Sequence, residues 1–167
     1  MRRASAPDAG TAQPKVGGTL TPEQAQQARD LGVADAIVTT PLLDPAARRD
    51  RATLAAIYRR AALVLQPSEA EGFGLPVAEA MACGAVVLAS DLEVLREVGG
   101  EAAVYRPVGD IPAWSEAALD LLEHRQGPSD AWRARRAAGL ARAPRFRWSA
   151  HVDQLVAIYR EVLQAPR

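Results

Sequence analysis

The chain predicts an α/β fold: a doubly wound parallel sheet of the Rossmann-like kind, followed by a helical tail. Three observations predict it. Short apolar runs alternate with helix-patterned segments from residue 15 to residue 107. The run AVVLAS at 85–90 is continuously apolar up to its last residue, as in a strand covered on both faces. From Asp110 onward only helical periodicity remains. Strand–helix alternation with short loops is the pattern of parallel sheets with helical crossovers.

The elements follow in order. Residues 1–14 read as a disordered leader, with two arginines but no apolar stretch after them, and one domain is expected over 15–167. KVGG at 15–18 is a strand stub. The segment 21–32 carries Thr21 as N-cap, Pro22 at the first helical position and Gly32 as the stop. AIVTT at 36–40 is a β-branched strand, and PLLDP at 41–45 is a turn. Residues 50–61 place Leu54, Ile57 and Tyr58 on one helical face. ALVLQPS at 62–68 reads as a buried strand stopped by Pro67. PVAEAMACG at 76–84 is a short helix with Pro at its start and Gly at its end. After the strand at 85–90, Asp91 is expected to cap a helix at 92–100, and 102–107 is a further strand. Arg96 and Glu97 are adjacent on that helix, so they point apart and do not pair. In the tail, Ile111, Trp114, Ala118, Leu121 and Leu122 form one stripe, and a second helix lies within 129–143. A third is marked by Trp148, Val152, Leu155, Val156, Tyr159, Val162 and Leu163. Trp114, Trp148 and Tyr159 are expected in the core. Part of the last apolar face is expected to be exposed in the chain alone.

Composition narrows the function. Apolar residues make up 49% of 167, enough for one core, and the formal net charge is zero, which gives no case for bulk nucleic-acid binding. Lys15 is the only lysine, and the alanine- and arginine-rich usage points to a GC-rich bacterial genome. The sole cysteine, Cys83, permits no intrachain disulfide and reads as packed rather than nucleophilic. No run reaches the length of a transmembrane segment. A cytoplasmic setting is expected, with the inner face of the membrane as a peripheral option. No metal and no cofactor are expected: there is no Asp-x-Asp, and His124 and His151 have no partner at ligand spacing.

The chemistry concentrates in EAEGFGLPVAEAMACGA at 69–85. In open parallel sheets ligands sit beyond the carboxyl ends of the strands, and the loop 67–75 lies there. Gly72 and Gly74 permit a sharp turn and close approach of a ligand. The helix start near Pro76 offers free N–H groups and a positive dipole end, suited to phosphate, and Ser68 adds a hydroxyl. Glu71 sits on the loop. Glu79 lies about one turn into the helix, where a carboxylate can accept from two adjacent hydroxyls. The set fits a nucleotide diphosphate carrying a sugar. The same spelling also serves as an ordinary loop-to-helix turn with Glu79 as a solvated helix glutamate, and the residues alone leave both readings open.

The string LQPSEAEGFGLPVAEAMACGAVVLASDLEVLREVGGEAAVY closely resembles the nucleotide-binding half of retaining glycosyltransferases of family 4, which have the two-domain GT-B architecture. The matching run is P-S-x-x-E-G-F-G-L-P-x-x-E-A-M-A-C-G, then V-V-x-A-S-D, then E-V-x-G-x-A-A. The family's Glu-x7-Glu element falls on Glu71 and Glu79. The resemblance implies that Glu71 is the catalytic carboxylate, contacting the donor sugar near its reacting carbon and helping to position the leaving diphosphate. The backbone N–H groups of Phe73, Gly74 and Leu75 would hold sugar hydroxyls and phosphate oxygens, and Glu79 the ribose hydroxyls. The strand end at Val38 and Thr39 would lie along the base. It also implies a nucleotide sugar as donor substrate, with a glycan, lipid or small molecule as acceptor. Enzymes of this family carry an acceptor-binding domain before this one, so the chain reads as a C-terminal half truncated at its N-terminus, whether a gene fragment, a mis-called start or a split enzyme whose separate N-terminal domain is a partner, and it is expected to be inactive without that domain. A truncated, non-catalytic module that binds a nucleotide sugar or a protein partner is the alternative, and a sugar-nucleotide epimerase of the same architecture is a more distant one.

Overall fold

The computed structural model describes residues 13–15, 18–40, 48–126 and 130–164. The chain divides into two compact units, Met1–Leu54 and Ala55–Arg167.

In the first unit, strands β1 (Gln13–Lys15) and β2 (Ile37–Thr39) pair in parallel, with Gln13 opposite Ile37 and Lys15 opposite Thr39. A parallel pair needs a crossover, and helix α1 (Pro22–Asp30) supplies it. Its start follows the sequence pattern. The Thr21 hydroxyl accepts from the Gln24 N–H at 3.2 Å, and the Gln24 side chain accepts from the Thr21 N–H at 3.1 Å, with Pro22 next. Gly32, at φ +68°, ends it. β1 begins two residues earlier than the strand expected at 15–18. The turn expected at 41–45 lies outside the described residues.

Helix α2 (Arg48–Arg60) runs across the division between the units. Leu54, Ala55, Ile57 and Tyr58 are its half-buried residues in the stretch 51–60, which is the face the periodicity selects.

In the second unit, strands β3 (Val64–Gln66), β4 (Val87–Ser90) and β5 (Val104–Arg106) form a parallel sheet in that order, with Val64 opposite Val87 and Leu88 opposite Val104. Helices α3 (Leu75–Ala82) and α4 (Glu93–Gly99) are the crossovers. Because spatial order follows chain order and such crossovers are right-handed, both helices fall on one face. Val77, Met81, Leu95 and Val98 there bury Val87 and Ala89. Helix α5 (Ile111–Gln126) covers the other face, where Ala117 and Leu121 meet Val86 and Leu88, flanked by Trp114 and Trp132. The alternation of residues 86 to 89 between two helical layers is why the run is apolar at every position. All six residues 85–90 are buried. The hydroxyl of Ser90 is among them and has no hydrogen-bond partner among the described residues.

The tail comprises α6 (Asp130–Arg142), a 3-10 turn at Ala143–Phe146 and α7 (Trp148–Gln164). Arg142 fastens it to the last turn of α4: its Nε donates to the Val98 carbonyl at 2.7 Å and its Nη2 to the Glu97 carbonyl at 2.5 Å. These are carbonyls that helix termini leave open, and a cation there also complements the helix dipole.

Four expectations are corrected. β3 lies at one edge of its three-stranded sheet, so Leu65 is 51% exposed rather than buried. Asp91 does not cap α4. Leu92 stands at the N-cap without a side-chain bond, while both Asp91 oxygens accept from Arg96, which also lies over the Tyr105 ring at 4.7 Å. Ile111 is exposed and leaves the α5 stripe to its neighbours. Trp148 is 80% exposed and Tyr159 is exposed too, since no residue of α7 is buried. Trp114, by contrast, packs on the α5 face and donates its indole N–H to the Pro107 carbonyl at 2.9 Å.

Candidate functional site

The loop from Pro67 to Gly74 leaves the carboxyl end of β3 and enters α3. Its polar groups close into a small network. The Gln66 amide nitrogen donates to Glu71 Oε1 at 2.6 Å and to the Ser68 hydroxyl at 2.8 Å, and that hydroxyl donates to the same Glu71 Oε1 at 2.8 Å. All three side chains are half-buried. Glu71 Oε2 has no partner among the described residues.

The helix start is built without a side-chain cap. Gly74 is the N-cap, at φ +82°, and a Cβ there would come 2.7 Å from Leu95 Cδ2. Glycine is therefore required twice over, by the left-handed backbone and by the packing of the loop on α4. Gly72 differs: a Cβ there would meet nothing, so its backbone is open to approach. The first helix N–H bonded within the protein is that of Val77, to the Gly74 carbonyl at 3.0 Å. Among the described residues, the N–H groups of Phe73, Gly74 and Leu75 find no acceptor. Three such donors at the positive end of a helix can hold an anion. The half-exposed Phe73 ring is held from the tail by Phe146.

Glu79 lies on α3, one turn on, and its network is separate. The Tyr58 hydroxyl donates to Glu79 Oε2 across a long 3.5 Å. Burial pushes the Glu79 carboxyl above its ordinary range, opposed by that hydrogen bond. Burial, and then the Glu79 charge, push Tyr58 well up. The half-buried Cys83 thiol is raised as well, mainly by burial, against the pull of Arg59. Cys83 is thus kept as a packed thiol and not as a thiolate.

A shallow groove of about 510 Å³ opens beside the loop, lined by Glu69, Ala70, Glu71 and, across it, Leu92, Glu93, Val94 and Glu97. Its four carboxylates make it a poor place for phosphate. Val38 and Thr39 lie on β2 in the first unit, and Val38 is 47% exposed. His124 and His151 are exposed on helices. Among the described residues no group of three His, Cys, Asp or Glu side chains gathers as a metal site.

Gln66 and Tyr58 are the residues sequence reasoning passed over. A spaced polar trio, Gln66, Ser68 and Glu71, was the available signal for the first. Nothing in the string marks the second, because its meeting with Glu79 depends on how two helices pack.

Known proteins resemble the chain over most of its length. A D-inositol 3-phosphate glycosyltransferase of Segniliparus rotundus is 37% identical over 157 residues, covering 89% of this chain and 31% of that protein. An O-antigen chain mannosyltransferase B of Escherichia coli is 37% identical over 105 residues, covering 62% of this chain and 26% of that protein. The chain thus spans about a third or less of the length of these curated relatives. Among solved structures, a sucrose-phosphate synthase from Thermosynechococcus elongatus superposes with a TM-score of 0.71 at 25% identity, covering 90% of this chain and 39% of that one. HepE of Anabaena, solved with UDP, gives a TM-score of 0.71 at 20% identity over 93% of this chain and 42% of its own, which shows a shared fold. The family model described as glycosyl transferases group 1 matches residues 12–124, and the chain belongs to that family.

Proposed function

We propose that these residues form the donor-binding part of a retaining glycosyltransferase, which takes a hexosyl group from a nucleotide-diphosphate sugar. One observation carries the reading: Glu71, with Oε1 tied down and Oε2 without a partner among the described residues, precedes by two residues the three N–H groups at the start of α3 that find no acceptor there. A carboxylate acceptor beside an anion cradle suits a ligand whose hydroxyl-bearing sugar adjoins a diphosphate. In this reading Glu71 meets the donor sugar. Ser68, together with the backbone of Gly72, Phe73, Gly74 and Leu75, holds the loop against the diphosphate. Glu79 accepts from the ribose hydroxyls.

Transfer then proceeds on one face. The bond from the anomeric carbon to the phosphate oxygen breaks, the bond to the acceptor oxygen forms on the same side, and the acceptor proton passes to the departing phosphate. N–H groups aimed at that phosphate stabilise the charge it gains. The relatives' names, an inositol-phosphate glycosyltransferase and a mannosyltransferase, support a sugar-transfer class and leave the acceptor open. Acceptor binding is assigned to a preceding domain, and turnover to the two together. A cytoplasmic setting goes with this reading. Among the described residues no helix is long and apolar enough to cross a membrane.

Calorimetry of the chain with UDP, GDP and ADP and their hexose conjugates tests the proposal. One base series is expected to bind, with Glu79→Ala weakening the whole series and Glu71→Ala weakening the sugar conjugate. A folded chain that binds none of them overturns it. The exposed stripe of α7 favours a second reading, a module that binds a partner and has no turnover. Labelled sugar transfer by the chain, alone and with candidate N-terminal domains, separates the two.

A further inference from the structure

We infer that Gln66 is a positioning residue for Glu71, and that it leaves Glu71 only Oε2 with which to read a single hydroxyl of the donor sugar. The inference rests on the donor-binding reading above and deepens it. Each of the three protons in the network has an acceptor. The Gln66 amide has two protons, one for Ser68 Oγ at 2.8 Å and one for Glu71 Oε1 at 2.6 Å, and the single Ser68 proton goes to the same Oε1 at 2.8 Å. A carboxylate accepts only, so the amide orientation is forced: its nitrogen must face Glu71.

The placement of Gln66 suits it to this task. It ends β3, opposite Ala89 of the fully buried β4, so its backbone is set by the sheet. Glu71 sits on a loop with no regular structure of its own. The network therefore transfers the precision of the sheet to a loop carboxylate, through short charge-assisted bonds in a half-buried setting. Two donors on one oxygen have a chemical consequence. A free carboxylate can bridge two adjacent hydroxyls with its two oxygens. Here Oε1 is taken, so that two-oxygen bridge is closed to Glu71, and engagement of one hydroxyl through Oε2 makes it discriminate hexoses at one stereocentre. Ser68 alone would leave the side chain free to pivot about a single bond, and the second donor removes that freedom.

Two measurements test this. The first needs no donor: the side-chain amide resonances of Gln66 in the parent chain and in Glu71→Ala. Displaced, exchange-protected resonances that collapse to those of a free glutamine in the variant are expected. Free-glutamine resonances in the parent overturn the inference. The second compares nucleoside diphosphates with their hexose conjugates in the parent, in Gln66→Met, which keeps length and loses the donors, and in Gln66→His, which keeps an N–H. Gln66→Met is expected to lose about tenfold in the affinity added by the sugar, with the nucleoside diphosphate unchanged, and Gln66→His to recover part of it. Equal loss on both ligands marks Gln66 as merely structural and overturns the inference. Among monodeoxy sugar conjugates, one position alone is expected to match the Glu71→Ala loss, and matching losses at two adjacent positions overturn the single-hydroxyl assignment. If the parent binds no nucleotide, the donor-binding reading and the hydroxyl assignment fall together, and the amide resonances alone decide whether Gln66 holds Glu71.

Discussion

Phe146 meets Phe73 edge-on, with ring centroids 6.1 Å apart and planes at 86°. Phe73 is the tip of the loop that carries the candidate site, and Phe146 closes the 3-10 turn after α6. Edge-to-face pairs contribute about 0.5–1.5 kcal/mol beyond the area they bury. Phe146→Ala is expected to lower stability by about 1–2 kcal/mol in urea unfolding, since the half-buried ring also loses apolar contact. The same variant is expected to weaken binding of a nucleoside diphosphate, because the loop tip loses its anchor. Unchanged affinity would show that the ring pair serves packing alone.

The two loop glycines should behave differently. Gly74→Ala places a Cβ at φ +82° and 2.7 Å from Leu95 Cδ2. The left-handed backbone and the overpacking together are expected to cost about 2–4 kcal/mol in chemical denaturation. Gly72→Ala meets open space and is expected to stay within about 0.5 kcal/mol of the parent, so any loss of ligand affinity there reads out crowding of the backbone's open side.

Ser90 is a polar group buried at the end of β4 without a hydrogen-bond partner among the described residues. Ser90→Ala removes its desolvation cost and is expected to raise stability by about 1 kcal/mol, visible as a higher unfolding midpoint. A drop in the midpoint would mean that the hydroxyl has a partner in solution.

Glu79 supplies a pH dependence. Burial holds its carboxyl above the ordinary value in the folded chain. The stability linked to it is complete below the ordinary carboxylate value and is lost as pH rises through the raised folded value, where the charged form must be borne by the fold. Glu79→Gln cannot ionise. The variant is therefore expected to gain on the parent across that window and to keep the gain at neutral pH. The gain is expected to be under about 1 kcal/mol, because the side chain is largely solvent-screened. Tyr58→Phe removes the opposing hydrogen bond and is expected to enlarge the parent's loss. Unfolding midpoints from acid to neutral pH check both.

Legibility in the sequence tracks how local each cause is. Thr21, Pro22 and Gly32 act within one helix, and α1 follows them. The apolar run at 85–90 reports two covered faces, and β4 has both. Leu65 was misread because an apolar run does not say whether a strand is central or at an edge. Asp91 has the right chemistry for a cap, yet the guanidinium of Arg96 takes both its oxygens. Trp148 and Tyr159 were misread for a similar reason: periodicity tells which residues share a face, not whether anything covers it. At the site, Glu71 and Gly74 are visible in the string. The partnership of Gln66 with Glu71 requires the loop to fold back onto the end of its own strand, and no local pattern announces that.

Arg142 and Phe146 stand one helical turn apart, the first holding the end of α4 and the second the loop tip. Fraying of the tail is therefore expected to be coupled to release of the loop, so that a ligand that holds the loop also protects the tail from solvent. A ligand seated at the loop should slow amide exchange along residues 130–146, in a segment with no assigned contact to that ligand. Conversely, a tail that melts early on warming should take affinity with it while the strands β3, β4 and β5 are still paired.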